Sequence, residues 1–224
     1  YALNVGDLDQ IWRLQELFSS TDLGKTWTKI ENGLNPDGVP QTQYTTIAAC
    51  EENGAVAYLS ISHYNAKVGS ETERQFGIVK TTDAGKSWDW VYHANYDKHI
   101  DTDFDYGWMM RNYGPEWGEY PLSLGVCPNN PDIIYATDFG TTYRSLDGGA
   151  KWEQVYTNMN DDGTVTSRGL DVTTNYDIVT DPFDSKHLFI PYTDIGAFHS
   201  FDGGKSWSHA IDGIPRDWRN TCYW

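Results

Sequence analysis

The sequence predicts an all-β chain made of repeated four-stranded antiparallel sheets, and two observations carry that prediction. The first is an eight-residue unit written four times: Ser20-Thr21-Asp22-Leu23-Gly24-Lys25-Thr26-Trp27, Thr81-Thr82-Asp83-Ala84-Gly85-Lys86-Ser87-Trp88, Ser145-Leu146-Asp147-Gly148-Gly149-Ala150-Lys151-Trp152 and Ser200-Phe201-Asp202-Gly203-Gly204-Lys205-Ser206-Trp207. Its aspartates, Asp22, Asp83, Asp147 and Asp202, are 61, 64 and 55 residues apart, a period that suits one four-stranded sheet per repeat. The second is what lies between the units: short apolar and aromatic runs bounded by Gly, Pro, Asn and Asp, the pattern of strands joined by tight turns.

The unit itself reads as a hairpin corner. Hydroxyl and carboxylate side chains cap their own backbone amides, glycine accepts a positive φ, and the tryptophan opens the outgoing strand with a large ring to bury under the turn. Turn chemistry accounts for every position, so these aspartates are assigned to structure rather than to catalysis or calcium. The third copy has drifted, with Ala150-Lys151 where the others carry Lys-Ser or Lys-Thr. The unit is the Asp-box, and in all four copies the chain resembles the Asp-box (BNR repeat) β-propellers. That resemblance implies a β-propeller of four-stranded antiparallel blades, with this chain as part of a larger propeller.

Taken in order, residues 1–31 give a partial blade, with two strands at 11–19 and 26–30 and a short lead-in at 2–5. A turn-rich loop leads to a blade at 44–93, with strands at 44–50, 55–62, 76–81 and 88–93 and a polar loop at 63–74. The segment 94–120 follows as a long aromatic insertion without helical or strand periodicity; loops of that length in compact folds are usually functional. The next blade, 121–157, has strands at 122–127, 133–137, 141–145 and 152–157; a polar insertion, 158–177, precedes the blade at 178–211, and an apolar strand begins another near 220–224. The ends fall inside a repeat, which favours a piece of a larger propeller over a four-bladed ring closed by pairing the last strand with the first blade.

Composition narrows the function. A chain of 224 residues that is 39% hydrophobic and 15% aromatic can bury a core. No apolar run approaches a membrane span, and the first residues, Tyr-Ala-Leu-Asn, have neither a basic region nor a signal-like apolar core. A net charge of −16 disfavours nucleic acid and anionic membranes as partners and suits neutral ligands. Cys50, Cys127 and Cys222 give neither a disulfide framework nor a zinc spacing and are expected as buried thiols. His63, His93, His187, His199 and His209 show no metal-ligand spacing, so no metal or cofactor is assigned; Asp101-x-Asp103-x-Asp105 resembles part of a calcium loop but lacks its glycine and terminal glutamate.

With the box joining the third and fourth strands at one rim, the links between second and third strands emerge at the opposite face. There Thr137-Asp138-Phe139-Gly140 and Thr193-Asp194-Ile195-Gly196 each place an aspartate at a strand end before a glycine turn, and Val5-Gly6-Asp7-Leu8 is a third such stretch. Carboxylates of this kind either form the acid and base or nucleophile of glycoside hydrolysis or make Asx-capped turns. The stretches are similar to the Thr-Asp-Val-Gly-Gly and Gly-Asp-Ile-Gly-Gly motifs of glycoside hydrolase family 74, which implies Asp138, Asp194 and Asp7 as catalytic candidates, with Asp171 and Glu116 in reserve. The second glycine is missing each time, and that family draws its two acids from two opposed propellers, which this chain is too short to contain. Sortilin-type receptors and photosystem assembly factors share the boxes, so a non-catalytic glycan-binding, protein-binding or assembly propeller is the alternative.

A sialidase-like exo-hydrolase is the third reading, although Gly213-Ile214-Pro215-Arg216 follows the last box instead of preceding the first. Substrate-binding candidates are Trp108, Trp117, Trp218 and Tyr113, whose flat rings can stack on pyranose faces, with Arg111, Arg168, Asp171 and His63 as polar contacts. The expected partners are a carbohydrate and the remaining blades of a longer chain, and the resemblance implies a secreted or periplasmic protein.

Overall fold

The computed structural model describes residues 1–5, 14–30, 42–115, 120–168, 175 and 177–214. The chain divides into two compact units, Tyr1–Gln154 and Val155–Trp224. Among the described residues no helix is long and apolar enough to cross a membrane.

In the first unit, β1 (Ala2–Val5), β2 (Leu14–Ser19), β3 (Thr28–Ile30), β4 (Gln43–Ala49), β5 (Ala57–Val68), β6 (Glu71–Thr81) and β7 (Asp89–Asn95) form one seven-stranded sheet. Its order is β1-β2-β4-β5-β6-β7, with β3 also on β2. The partial blade and its successor, separate in the sequence reading, are joined among the described residues by one residue pair, Leu14 with Tyr44.

The segment expected as a polar loop at 63–74 is instead strand. β5 and β6 run past the blade and stay paired from Tyr64 with Gln75 to Val68 with Glu71, turning at Gly69-Ser70. Polar residues such as Asn65, Lys67, Thr72 and Arg74 hide that pairing from a hydrophobicity pattern, because the backbone ladder holds it. Lys67 Nζ adds a cross-strand hydrogen bond to Thr72 Oγ1 at 2.7 Å.

The second sheet of this unit has the order β8-β12-β11-β10-β9, made from β8 (Asp103–Asp105), β9 (Ser123–Cys127), β10 (Asn130–Thr137), β11 (Thr142–Ser145) and β12 (Lys151–Gln154). Four of its strands are the expected antiparallel blade. The fifth, β8, comes from the aromatic insertion and lies parallel to β12, Phe104 opposite Trp152. It covers the sheet's outer edge. The same insertion holds the six-residue helix α1 (Trp108–Tyr113), too short to show a period in sequence.

β5 is buried on both faces over Ala57, Tyr58, Leu59, Ser60 and Ile61. Leu59, Ile61 and Val79 pack with Leu17, Tyr44 and Trp88, while Tyr58, Phe76 and Ile78 pack with Tyr92, Ile134, Tyr143 and Trp152. A blade clasped on both sides is what repeated sheets require.

The second unit has a hairpin, β13 (Thr157–Met159) with β14 (Val165–Ser167), inside the expected polar insertion. It then has a four-stranded antiparallel blade, β15 (Val179–Thr180), β16 (Leu188–Pro191), β17 (Ala197–Ser200) and β18 (Ser208–His209), in sequential order. Cys50 is buried and Cys127 half-buried, both as free thiols; the expected Cys222 and the strand at 220–224 lie outside the described residues.

Candidate functional site

The box corners set the frame. In each, the Ser or Thr hydroxyl donates to the aspartate Oδ1: Ser20 to Asp22 at 2.8 Å, Thr81 to Asp83 at 2.9 Å, Ser145 to Asp147 at 2.8 Å and Ser200 to Asp202 at 2.8 Å. The same hydroxyl accepts the N–H of Gly24, Gly85, Gly149 or Gly204. Oδ1 also accepts the amide of the residue four positions on, and in three copies Oδ2 accepts that residue's hydroxyl: Thr26 at 2.6 Å, Ser87 at 2.7 Å and Ser206 at 2.7 Å. These bonds stabilise the ionised form and hold Asp22 and Asp83 down at about 2, with Asp202 lower still. Such carboxylates are committed to the turn.

The corner needs two left-handed residues in succession. Gly148-Gly149 and Gly203-Gly204 supply both, whereas Leu23 (φ 61°) and Ala84 (φ 64°) take the first position in the other copies. The tryptophans diverge. Trp27 and Trp207 fold back to donate to Gly24 O and Gly204 O at 3.1 Å, while the fully buried Trp152 crosses to Val91 O at 2.7 Å.

Asp138 sits at the other end of β11 from its box, in the link from β10. Its Oδ1 accepts the amides of Gly140 (2.9 Å) and Thr141 (2.6 Å), and its Oδ2 accepts the Thr141 hydroxyl (2.5 Å). It is therefore an Asx-type turn cap. Although the residue is only half-buried, desolvation of its carboxyl outweighs these hydrogen bonds and pushes it up to about 6, whereas in the box aspartates the hydrogen bonds win. A proton held there near neutrality is what a general acid requires.

Asp194 occupies the corresponding link of its own blade, between β16 and β17. There the Tyr192 amide donates to Gly196 O at 2.8 Å, Gly196 has φ 76°, and Asp194 is exposed. The two links thus share a place in the blade but differ in environment: Asp138 is half-buried and Asp194 exposed.

The remaining candidates separate. Trp108 (7% exposed) and Tyr113 (8%) were expected as open stacking surfaces, and the structure corrects this: they are the buried face of α1 and anchor the insertion. Arg111 lies on the exposed face of the same helix. His63 belongs to β5 rather than to a loop, with Nε2 2.9 Å from Asn65 Oδ1. Arg168 is exposed, its amide donating to Tyr156 O at 2.8 Å. Asp7, Trp117, Asp171, Trp218 and Glu116 lie outside the described residues. Among the described residues no group of three or more His, Cys, Asp or Glu is arranged to hold a metal.

Sequence reasoning did not single out the stacked tyrosine pair of the core. Tyr92 on β7 and Tyr143 on β11 are fully buried, their rings stacked 5.3 Å apart, and burial pushes both phenols well above their ordinary value. Their place in apolar strands marks them only as core, so no motif signals them. A separate cleft of about 410 Å³, lined by Lys80, Asp89, Trp90, Asp101 and Asp147 among others, lies at the box end and does not include Asp138.

One family matches in sequence, the BNR/Asp-box repeat, over residues 198–209, which hold β17 from its second residue, the fourth box and β18. Those residues carry an Asp-box repeat, and the corners at Asp22, Asp83 and Asp147 repeat its hydroxyl-to-aspartate hydrogen bond. No curated protein matches it. Among solved structures it is similar to a glycoside hydrolase family 74 xyloglucanase from Xanthomonas campestris, at 15% identity and a TM-score of 0.39, over 85% of this chain and 31% of that one. A family 74 enzyme from Niastella koreensis aligns at 19% identity and a TM-score of 0.35, over 86% of this chain and 26% of that one. YCF48 bound to D1 peptide aligns at 14% identity and a TM-score of 0.40, over 93% of this chain and 79% of that one. The chain spans about a third or less of the length of the two family 74 enzymes.

Proposed function

We propose that this Asp-box protein acts on carbohydrate, as a glycoside hydrolase in which Asp138 is the general acid. The observation that supports the reading is the half-buried, desolvated Asp138 carboxyl at the strand end opposite the box, held at about 6. In that role Asp138 gives its proton to the glycosidic oxygen as the C–O bond breaks. A second carboxylate then serves as base or nucleophile. Asp194 and Asp7, at the matching links of the sequence, are the candidates for it. A secreted or periplasmic location goes with this reading, since polysaccharide is met there.

A second reading has its own support. Both Asp138 oxygens are bonded within the turn, and Trp108 and Tyr113 are buried, which suits a binding or assembly blade whose links only shape a docking face. The test is reducing-end release from a panel of neutral and acidic polysaccharides by the chain, Asp138→Asn and Asp194→Asn. Release lost by at least 10²-fold in a folded Asp138→Asn variant is expected for a hydrolase. No release from any substrate, with glycan or peptide binding retained, overturns it in favour of the binding reading.

A further inference from the structure

The extended β5–β6 hairpin rises from its blade at the end opposite the box, beside the Asp138 link. Ser60 Oγ on β5 donates to Pro121 O, and the next amide along, Leu122 N–H, donates to Thr137 O at 2.7 Å, so the link begins against β5. Two residues further up β5, the Ser62 carbonyl accepts Arg74 Nη2 at 3.2 Å. Cross-strand pairing then fixes which side chains share a face. Asn65 lies opposite Arg74 and Lys67 opposite Thr72 on one face, while Ala66 opposite Glu73 and Val68 opposite Glu71 take the other. The hairpin is thus basic on one face and acidic on the other, and Glu73 is turned to Asn95, whose Nδ2 donates to it.

Arg74 is half-buried and held by neutral acceptors. Nη1 donates to Tyr96 Oη and Nη2 to Ser62 O, the guanidinium carbon lies 5.3 Å from the centre of the Tyr96 ring, and that ring rests edge-on against buried Phe76 at 6.1 Å. Its Nε N–H is shut off from water with no hydrogen-bond partner, and among the described residues no carboxylate pairs with the guanidinium. A partly desolvated charge without a counter-charge is costly, and its presence calls for a ligand. The planar fork matches a carboxylate, two N–H groups to two oxygens. Beside it, Asn65 Oδ1 is engaged by His63 Nε2 at 2.9 Å, which leaves the Asn65 amide N–H groups as further donors. Exposed Lys67 adds a second cation on the same face.

We propose that this face of the hairpin is an anion subsite flanking the Asp138 link, in which Arg74 takes the carboxylate of a uronic acid residue and Asn65 and Lys67 stand beside it. The subsite rests on the carbohydrate reading and names its substrate class, a glycan that bears carboxylates. The net charge of −16 repels such a glycan at long range. Recognition at Arg74 is by contact, over hydrogen-bond distances, where a charge-assisted pair outweighs a diffuse field that salt screens.

The experiment is calorimetric titration of the intact chain, Arg74→Gln and Lys67→Gln with trigalacturonate, trimannuronate and their carboxyl-reduced counterparts, galactotriose and mannotriose. The expected result is that at least one uronate binds about tenfold or more tighter than its neutral counterpart and that Arg74→Gln removes the difference. Lys67→Gln, at an exposed position away from the core, should weaken the same uronate by about twofold to fivefold, so the test survives a folding defect in Arg74→Gln. Neither change should alter binding of the neutral sugars. Absence of uronate binding, equal affinity for uronates and their reduced counterparts, or uronate binding that neither variant weakens overturns the proposal. Binding of a short peptide with a free C-terminal carboxylate in place of both uronates overturns the glycan assignment. Arg74-dependent uronate binding in a chain that releases no reducing ends upholds the subsite and rejects the hydrolase reading alone.

Discussion

Asp138 and the buried histidines pull the pH dependence of stability in opposite directions. For Asp138 the folded value, about 6, lies above the ordinary 3.8, so the native state holds its proton longer; its contribution is greatest below pH 3.8 and is lost as pH rises to about 6. His93 and His99 are held at about 4, below the ordinary 6.5, mainly by burial, so their contribution is present above pH 6.5 and lost as pH falls to about 4. The box aspartates enter only below this window: Asp22 and Asp83, lowered from 3.8 to about 2, contribute stability that is present above pH 3.8 and lost as pH falls to about 2. Replacing Asp138 by Asn, whose amide oxygen can still accept the turn amides, removes only the falling limb. Urea unfolding at pH 4, 5 and 6.5 should show Asp138→Asn gaining about 2 kcal/mol on the wild type across that window. Parallel pH curves for the two proteins would mean that the carboxyl is not desolvated.

At the scale of elements, the boxes were readable because each position of the unit has a single local job, and local jobs repeat in sequence. Asp83 and its partners Thr81, Gly85 and Ser87 could be placed without knowing any tertiary contact. Strand β8 could not, because three residues, Asp103-Phe104-Asp105, become a strand only by pairing with β12. The end of β5 escaped for the related reason that its polar residues are held by the ladder of β6. Asp138 is legible as a strand-end aspartate, but the desolvation that raises its carboxyl comes from the surrounding fold, which no motif records. The drifted third box offers a direct test of the local logic. Lys151 supplies the amide to Asp147 Oδ1 at 2.9 Å but no hydroxyl. Lys151→Ser should restore that donor and raise Tm by about 1–3 °C, the size expected for one exposed-turn hydrogen bond in a chain of this length. The gain must vanish in an Asp147→Ala background; a gain that persists would trace to removal of the lysine instead.

At the scale of the whole molecule, 32 acidic residues against 16 basic ones dominate the electrostatics. The box bonds keep their aspartates charged, so the fold sustains self-repulsion at neutral pH rather than titrating it away. Ion pairs offset little of this. Lys29 with Glu16 at 2.9 Å and Arg144 with Glu153 at 2.7 Å are surface pairs, of the kind worth at most about 1 kcal/mol and themselves weakened by salt. Repulsion spread over the molecule acts at longer range than such pairs, and a Debye length of about 10 Å at 0.1 M salt removes most of it. Raising sodium chloride from about 10 to 200 mM should therefore raise Tm by about 2–4 °C, the shift that roughly 1 kcal/mol gives in a chain of this size. A Tm that falls with salt would mean that local pairs outweigh the net charge. Under the proposed carbohydrate reading the same charge sorts ligands: an uncharged glycan would approach without an electrostatic penalty, while an anionic one would meet a repulsion that salt relieves.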